Sequence, residues 1–400
     1  GQVGAQIVDR PLDSPLLAAF RTRPAAVSDA DWTTLVDEAT GAYAQQVAPA
    51  FRRLRAFLVE DYLPKCRETV GASALPGGGA LYAYNAQWHT TTTLTPQAIH
   101  DIGLKEVARI RAEMEAVIAQ AGYAGRFDDF VRFLRTDRRF YYSDADELVR
   151  GYRDIAKRAD AGLAALFGRL PATPYGVERV PDAIAPSQTT AYYDPGSLAA
   201  GRPGYMMANT YKLDARPKYE MEALTLHEAV PGHHLQISLA QELTGLPDFR
   251  KHSSFTAYVE GWALYAERLG ESMGFYKDPY SKFGQLTYEM WRAVRLVVDT
   301  GLHAMNWTRQ QAIDYFLANT AKTLQDITVE VDRYIVWPGQ ALGYKMGEIR
   351  LRELRAMAER ELGSAFDVRA FHDEVLSSGA VPLDVVEARV KAWVERSRGR

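Results

Sequence analysis

The chain has 400 residues, of which 47% are hydrophobic and 24% charged. Those proportions belong to an ordinary globular protein and exclude a largely disordered one. Lys plus Arg number 47 and Asp plus Glu 50, a formal net charge of -3, without the basic excess of a dedicated nucleic-acid binder. The one cysteine, Cys66, can form neither an internal disulfide nor a paired-cysteine zinc site. No apolar run is long enough for a membrane span.

Asp29 to Val70 is rich in Ala, Leu, Arg and Glu and predicts helix, with a cap at Asp29-Ala30-Asp31. Gly77-Gly78-Gly79 is a break. Thr95-Pro96 reads as an N-cap followed by Pro in the first turn, and Ile99 to Gln120 carries apolar residues at helical spacing. The helical pattern continues over residues 126–170, with a start at Ser143-Asp144-Ala145-Asp146. At Leu170 the composition changes. Residues 171–218 are rich in Pro, Gly, Tyr and Thr, with strands expected over 189–193 and 205–211. From Lys218 onward the chain is helical again, broken near Pro231-Gly232, Pro279, Pro338-Gly339 and Pro382. The expectation is a mainly α, multi-helix body carrying a small β-sheet or hairpin. Its parts are a helical N-terminal portion, 1–170, and a chemistry-bearing portion, 171–400, or one continuous domain. The start, Gly1-Gln2-Val3-Gly4, lacks an initiator Met and any signal-like stretch, so a trimmed chain that has lost an upstream segment is expected.

Three of the eight histidines fall in His227-Glu228-Ala229-Val230-Pro231-Gly232-His233-His234. The first two residues match the start of H-E-x-x-H, in which two His bind zinc and the Glu is the general base. The fifth position is Pro231, not His. On an ideal helix His233 lies roughly 240° round from His227, and His234 shares its face but about 10.5 Å along the axis. Neither pair can share one zinc without distortion, because Zn–N bonds are only about 2.0–2.1 Å. Pro231 and Gly232 supply the means of distortion. A widened turn absorbing two residues brings His233 near the position of the usual second ligand; His234 is the alternative.

A third ligand is sought downstream, where Glu260-Gly261-Trp262-Ala263-Leu264-Tyr265-Ala266-Glu267 reads as a buried helix. A buried carboxylate must be paired or bound to metal, which makes Glu260 the candidate ligand and Glu267 a partner that orients one. Glu228 is placed to move a proton to and from a metal-activated water. The segment 332–345 brackets a Pro-Gly break with polar and aromatic groups, so Arg333, Tyr334, Gln340, Tyr344 and Lys345 are candidates for the cleft. His303 is a further candidate donor to a developing oxyanion.

The octapeptide at 227–234, the segments Glu260–Glu267 and Arg333–Lys345, the stretch Tyr84 to Ile110 with Trp88-His89-Thr90-Thr91-Thr92-Thr93-Leu94-Thr95-Pro96, and Gly204 to Tyr211 together resemble the bacterial domain-of-unknown-function 885 family. The likeness runs over most of the chain from about residue 80. That family is similar, more distantly, to helical zinc peptidases typified by angiotensin-converting enzyme, thimet oligopeptidase and carboxypeptidase Taq. The resemblance implies a deep cleft between helices, beside a sheet edge that binds substrate backbone. It implies His227, His233 and Glu260 as zinc ligands, Glu228 as base and Tyr334 as oxyanion donor. It also implies a substrate-binding strand at Tyr205–Tyr211 with Asn209 facing the peptide. Many members carry export signals, so a periplasmic or cell-envelope location is favoured if such a signal has been removed, and a cytoplasmic one otherwise. The expected activity is zinc-dependent hydrolysis of peptide bonds in short or unfolded peptides. The alternatives are hydrolysis of a non-peptide amide and capture of peptides without cutting.

Overall fold

The computed structural model describes residues 2–182 and 184–398. They divide into two compact units, Gly1–Thr69 and Val70–Arg400. The first holds α1 (Gln2–Ala5), α2 (Asp29–Ala42) and α3 (Ala48–Ala56). Ser28 accepts the Asp31 N–H at the start of α2, so the cap lies one residue before the acidic run. A small core of Leu17, Tyr43 and Ala48 closes this unit.

The second unit opens with α4 (Gly78–Thr90), α5 (Pro96–Gln120), α6 (Phe127–Thr136) and α7 (Ala145–Leu166). The predicted starts hold: the Thr95 side chain accepts from the Ala98 N–H at 3.2 Å, and Asp144 from the Glu147 N–H at 2.8 Å. A three-stranded sheet follows, of β1 (Tyr175–Arg179), β2 (Ala191–Asp194) and β3 (Gly204–Ala208). Central β3 pairs in parallel with β1 and antiparallel with β2, so Met206 faces Val177 on one side and Tyr193 on the other. β1 escaped the sequence reading because Val177 is the only buried residue of its five. The composition change at Leu170 is the switch from helix to sheet and falls inside the second unit. Leu163, Leu166 and Phe167 share a core with Val177 and Met206.

The remaining helices are α8 (Met221–Glu228), α9 (His233–Gln241), α10 (Asp248–Lys251), α11 (Thr256–Leu269), α12 (Pro279–Ala304), α13 (Arg309–Asn319), α14 (Leu324–Val336), α15 (Gly343–Leu362), α16 (Val368–Leu376) and α17 (Leu383–Arg398). The protein is thus mainly α with one small sheet. α12 is buried almost all round from Phe283 to His303, as a central helix must be when its polar positions find partners. α11 and α15 cross with their backbones in contact. A Cβ on Gly347 would stand 1.8 Å from the Ala257 carbonyl oxygen, and one on Gly261 2.5 Å from the Gly347 Cα. This crossing fixes the depth of Glu260, next to Gly261.

Candidate metal centre

The octapeptide does not form one helix with a widened turn. α8 stops at Glu228, four residues break away, and α9 restarts at His233. The Val230–Pro231 peptide is cis. The His234 N–H reaches back five residues to the Ala229 carbonyl at 3.1 Å. Gly232 is needed here, since a Cβ on it would lie 1.9 Å from the His227 carbonyl oxygen. Trp262, fully buried on α11, donates its indole N–H to the Pro231 carbonyl at 2.9 Å. The Trp beside Glu260 thereby registers the break against the helix that carries the candidate third ligand.

Three side chains converge across this break. Nε2 of His227 and of His233 lie 3.5 and 3.4 Å from one carboxylate oxygen of Glu260, Oε2. The two rings are 4.8 Å apart and nearly perpendicular, at 89°. Ligand atoms of the three residues all fall within 4.8 Å of one another. Oε2 of Glu260 is buried without a hydrogen-bond partner. Groups left bare in this way are costly unless something else satisfies them. A tetrahedral ion with bonds of about 2.0–2.1 Å sets its ligand atoms about 3.3–3.4 Å apart. The observed separations and the two-His, one-carboxylate donor set fit a zinc ion.

The surrounding groups set the orientation and charge of these side chains. His227 Nδ1 donates to Glu267 Oε1 at 2.8 Å, which turns Nε2 toward Glu260. Burial opposes charge on His227, but Glu260 and Glu267 outweigh it and raise its pKa to about 9. Burial likewise opposes charge on Glu260, yet His233 and His227 hold its carboxyl well below the usual range. Glu267, wholly buried, also faces Arg292 Nη2 at 3.4 Å.

A second carboxylate trio, Glu106, Glu289 and Glu348, is equally close-set. There the central cation is already present. The Lys345 ammonium lies 3.0, 2.9 and 2.9 Å from the three, flanked by Arg109, Arg268 and Arg352. Lys345 is therefore a structural counter-ion and not a cleft residue.

The imidazole–carboxylate trio opens onto a cleft of about 480 Å³. Glu228, Arg333, Gln340 and Tyr344 of the predicted residues line it, as does β2, one of the two edge strands. Other expectations are corrected. Asn209 gives its amide to the carbonyls of Ala185, Gln188 and Thr189 and is buried. It pins the loop before β2 and does not face a peptide. Tyr205 sits on central β3 opposite Gly176 and Asp194, outside the cleft lining. The strand at the cleft is β2, through Ala191–Tyr193. His234 is turned from the trio: its Nδ1 accepts from the Tyr193 hydroxyl at 2.8 Å, and burial lowers its pKa to about 4. It fastens β2 to α9. His303 uses both nitrogens, with Nδ1 accepting from the Ala72 N–H and Nε2 donating to the Tyr334 carbonyl, each at 2.9 Å. The Tyr334 hydroxyl donates to Glu330 at 2.7 Å and accepts from Arg295 at 2.9 Å and Trp291 at 3.2 Å. It lies behind the cleft wall. Tyr344 and Tyr288 are among the hydroxyl-bearing residues that do line the cleft, and Tyr288 Oη has no partner. Sequence reading missed Tyr288, Trp291, Arg292, Arg295 and Glu330. The available signal was two arginines three apart on α12, inside an otherwise apolar run.

Among the described residues no helix is long and apolar enough to cross a membrane. No curated protein matches the chain. A crystal structure of a candidate lipoprotein from Colwellia psychrerythraea superposes with a TM-score of 0.94 at 34% identity, covering 99% of this chain and 69% of that one. A candidate lipoprotein of unknown function from Shewanella oneidensis gives 0.69 at 17% identity, covering 93% and 69%, a likeness of fold alone. The family model described as bacterial protein of unknown function (DUF885) matches residues 1–390. The chain therefore belongs to the DUF885 family.

Proposed function

We propose that the protein is a zinc-dependent hydrolase of amide bonds in short or unfolded peptides. The observation that carries this reading is the bare Glu260 oxygen held 3.5 and 3.4 Å from two imidazole nitrogens at the floor of a cleft. His227, His233 and Glu260 would hold the ion, with Glu267 orienting His227. Bound there, zinc supplies polarisation of a carbonyl and acidification of a water. Glu228 follows His227 directly and lines the same cleft. Its carboxylate takes the water's proton and returns it to the leaving amine. The Tyr344 and Tyr288 hydroxyls are the groups at the wall suited to donate to an oxyanion, in place of the engaged Tyr334. Edge strand β2 offers backbone groups to an extended peptide, as in strand addition. The lipoprotein description of the Colwellia relative supports a cell-envelope setting.

The test joins metal analysis to hydrolysis. The purified protein should carry or take up one zinc per chain and lose peptide hydrolysis to a chelator. Glu228→Gln should keep the metal and lose activity by about 10²–10⁴-fold. Full activity in that variant removes the base assignment. Zinc without turnover of peptides would support capture, and turnover of non-peptide amides alone would move the substrate class.

A further inference from the structure

Beyond the metal trio, the cleft wall carries three arginines, Arg292, Arg295 and Arg333, and although Arg292 faces Glu267 at 3.4 Å, two of the three keep a donor that no neighbour accepts. Arg295 and Arg333 both pair with one carboxylate, Glu330, at 3.0 Å each. Asp299, which feels the charge of Arg333, is already engaged by the Tyr82 hydroxyl at 2.6 Å and the Gly339 N–H at 3.1 Å. Arg295 is nearly sealed from solvent, with 4% exposure. Its guanidinium lies 4.3 Å from the ring centre of Tyr344 and 4.7 Å from that of Trp291. Nε and Nη2 are used by Tyr334 and Glu330, whereas Nη1 is buried and has no partner. Arg292, one turn earlier on α12, has an unpartnered Nε as well, and the Tyr288 hydroxyl beside it is bare. All three residues line the cleft.

These are donors only, or in the case of Tyr288 a donor in waiting. Stacking on two rings fixes the Arg295 fork, which is the arrangement that recognises a planar anion. A buried donor without an acceptor costs free energy that a fitting ligand returns. Tyr344 connects this corner to the chemistry, since its hydroxyl feels the charge of Glu260 as well as those of Arg295 and Arg333.

We propose that the Arg292–Arg295 corner is a subsite for a carboxylate of the substrate, so that the preferred substrates are short peptides bearing an anionic group close to the scissile bond. This rests on the hydrolase reading for the word substrate; the binding of the anion itself does not. The carboxylate can come from a free peptide C-terminus or from an acidic side chain, and the arms of the test separate the two.

Glu228→Gln protein, which retains the whole cleft, is titrated calorimetrically with three N-acetylated tripeptides: tri-alanine acid, tri-alanine amide, and an amidated peptide with one glutamate. The acid should bind at least tenfold tighter than the amide, and Arg295→Gln in the same background should abolish the difference. Arg295→Lys, which keeps charge on a comparable stem, guards against loss of folding and should retain part of it. Tight binding of the glutamate amide alone assigns the subsite to a side chain and still supports it. Equal affinity for all three peptides, or a preference that survives in Arg295→Gln, overturns the proposal. The two readings fail separately. A zinc protein that hydrolyses acid and amide peptides alike loses the subsite and keeps the hydrolase. A metal-free protein that still prefers the acid keeps the subsite and loses the hydrolase.

Discussion

At the residue scale the proposed zinc centre depends on what stands behind its candidate ligands. Glu267 is wholly buried and shared between His227 Nδ1 and Arg292. Its carboxylate fixes the tautomer of His227 and balances a buried guanidinium. Glu267→Ala should weaken zinc binding by about 10–100-fold, read by competition against a chromogenic chelator. Glu267→Gln keeps an oxygen to accept the imidazole N–H and should recover much of that loss. Equal affinity in the two variants and the parent would reduce Glu267 to a packing residue. The same scale shows what the sequence could disclose. That His227, Glu228, His233 and Glu260 come together at one cleft was legible because the metal chemistry proposed for them asks for few residue types and they cluster at an unusual spacing. His234, His303 and Lys345 carry the same side-chain chemistry, but partners from distant segments have claimed it: Tyr193, Ala72 and Glu289. No local pattern announces such pairings.

At the element scale, helix starts and the change to sheet at Leu170 were legible, since caps, Pro placement and composition act locally. β1 was not, and at Pro231-Gly232 the break was expected but its form, a stop and restart of the helix in place of a widened turn, was not. The break forms because Gly232 lets the backbone close on His227 and Trp262 holds Pro231 from another helix, which is a tertiary arrangement. The α11–α15 crossing is the corresponding constraint on Glu260. Gly347→Ala places a methyl group 1.8 Å from the Ala257 carbonyl oxygen. The helices must separate, at a cost of about 3 kcal/mol or more, the upper part of the overpacking range. The expected outcome is a thermal midpoint several degrees lower, together with weaker zinc binding because Glu260 moves with α11. A methyl group at Gly79, where no heavy atom lies within 4 Å, should leave metal binding unchanged. Undiminished stability in Gly347→Ala would show that the crossing can relax, and that the placement of Glu260 does not depend on it.

At the scale of the whole molecule, buried ion clusters join helices far apart in sequence. Lys345 on α15 binds Glu106 of α5 and Glu289 of α12, and Glu330 of α14 binds Arg295 of α12. Burial opposes charge on Glu330 and on Glu106, but neighbouring cations win and pull both to about 2. A carboxyl depressed in the folded state stabilises it fully above the unfolded pKa, about 4.3. That stabilisation is lost as pH falls toward the folded value. For nearly sealed Glu330 the shift corresponds to roughly 3 kcal/mol. Acid should therefore unfold the protein between about pH 4.5 and 2. Glu330→Gln should be markedly less stable than the parent at pH 7, with the gap in urea midpoint closing as the buffer is taken from pH 5 to about 3. A gap that stays constant over that range would mean that Glu330 contributes through packing and not through its charge. The Arg295–Glu330–Arg333 cluster would then be a product of the fold rather than one of the forces joining α12 to α14.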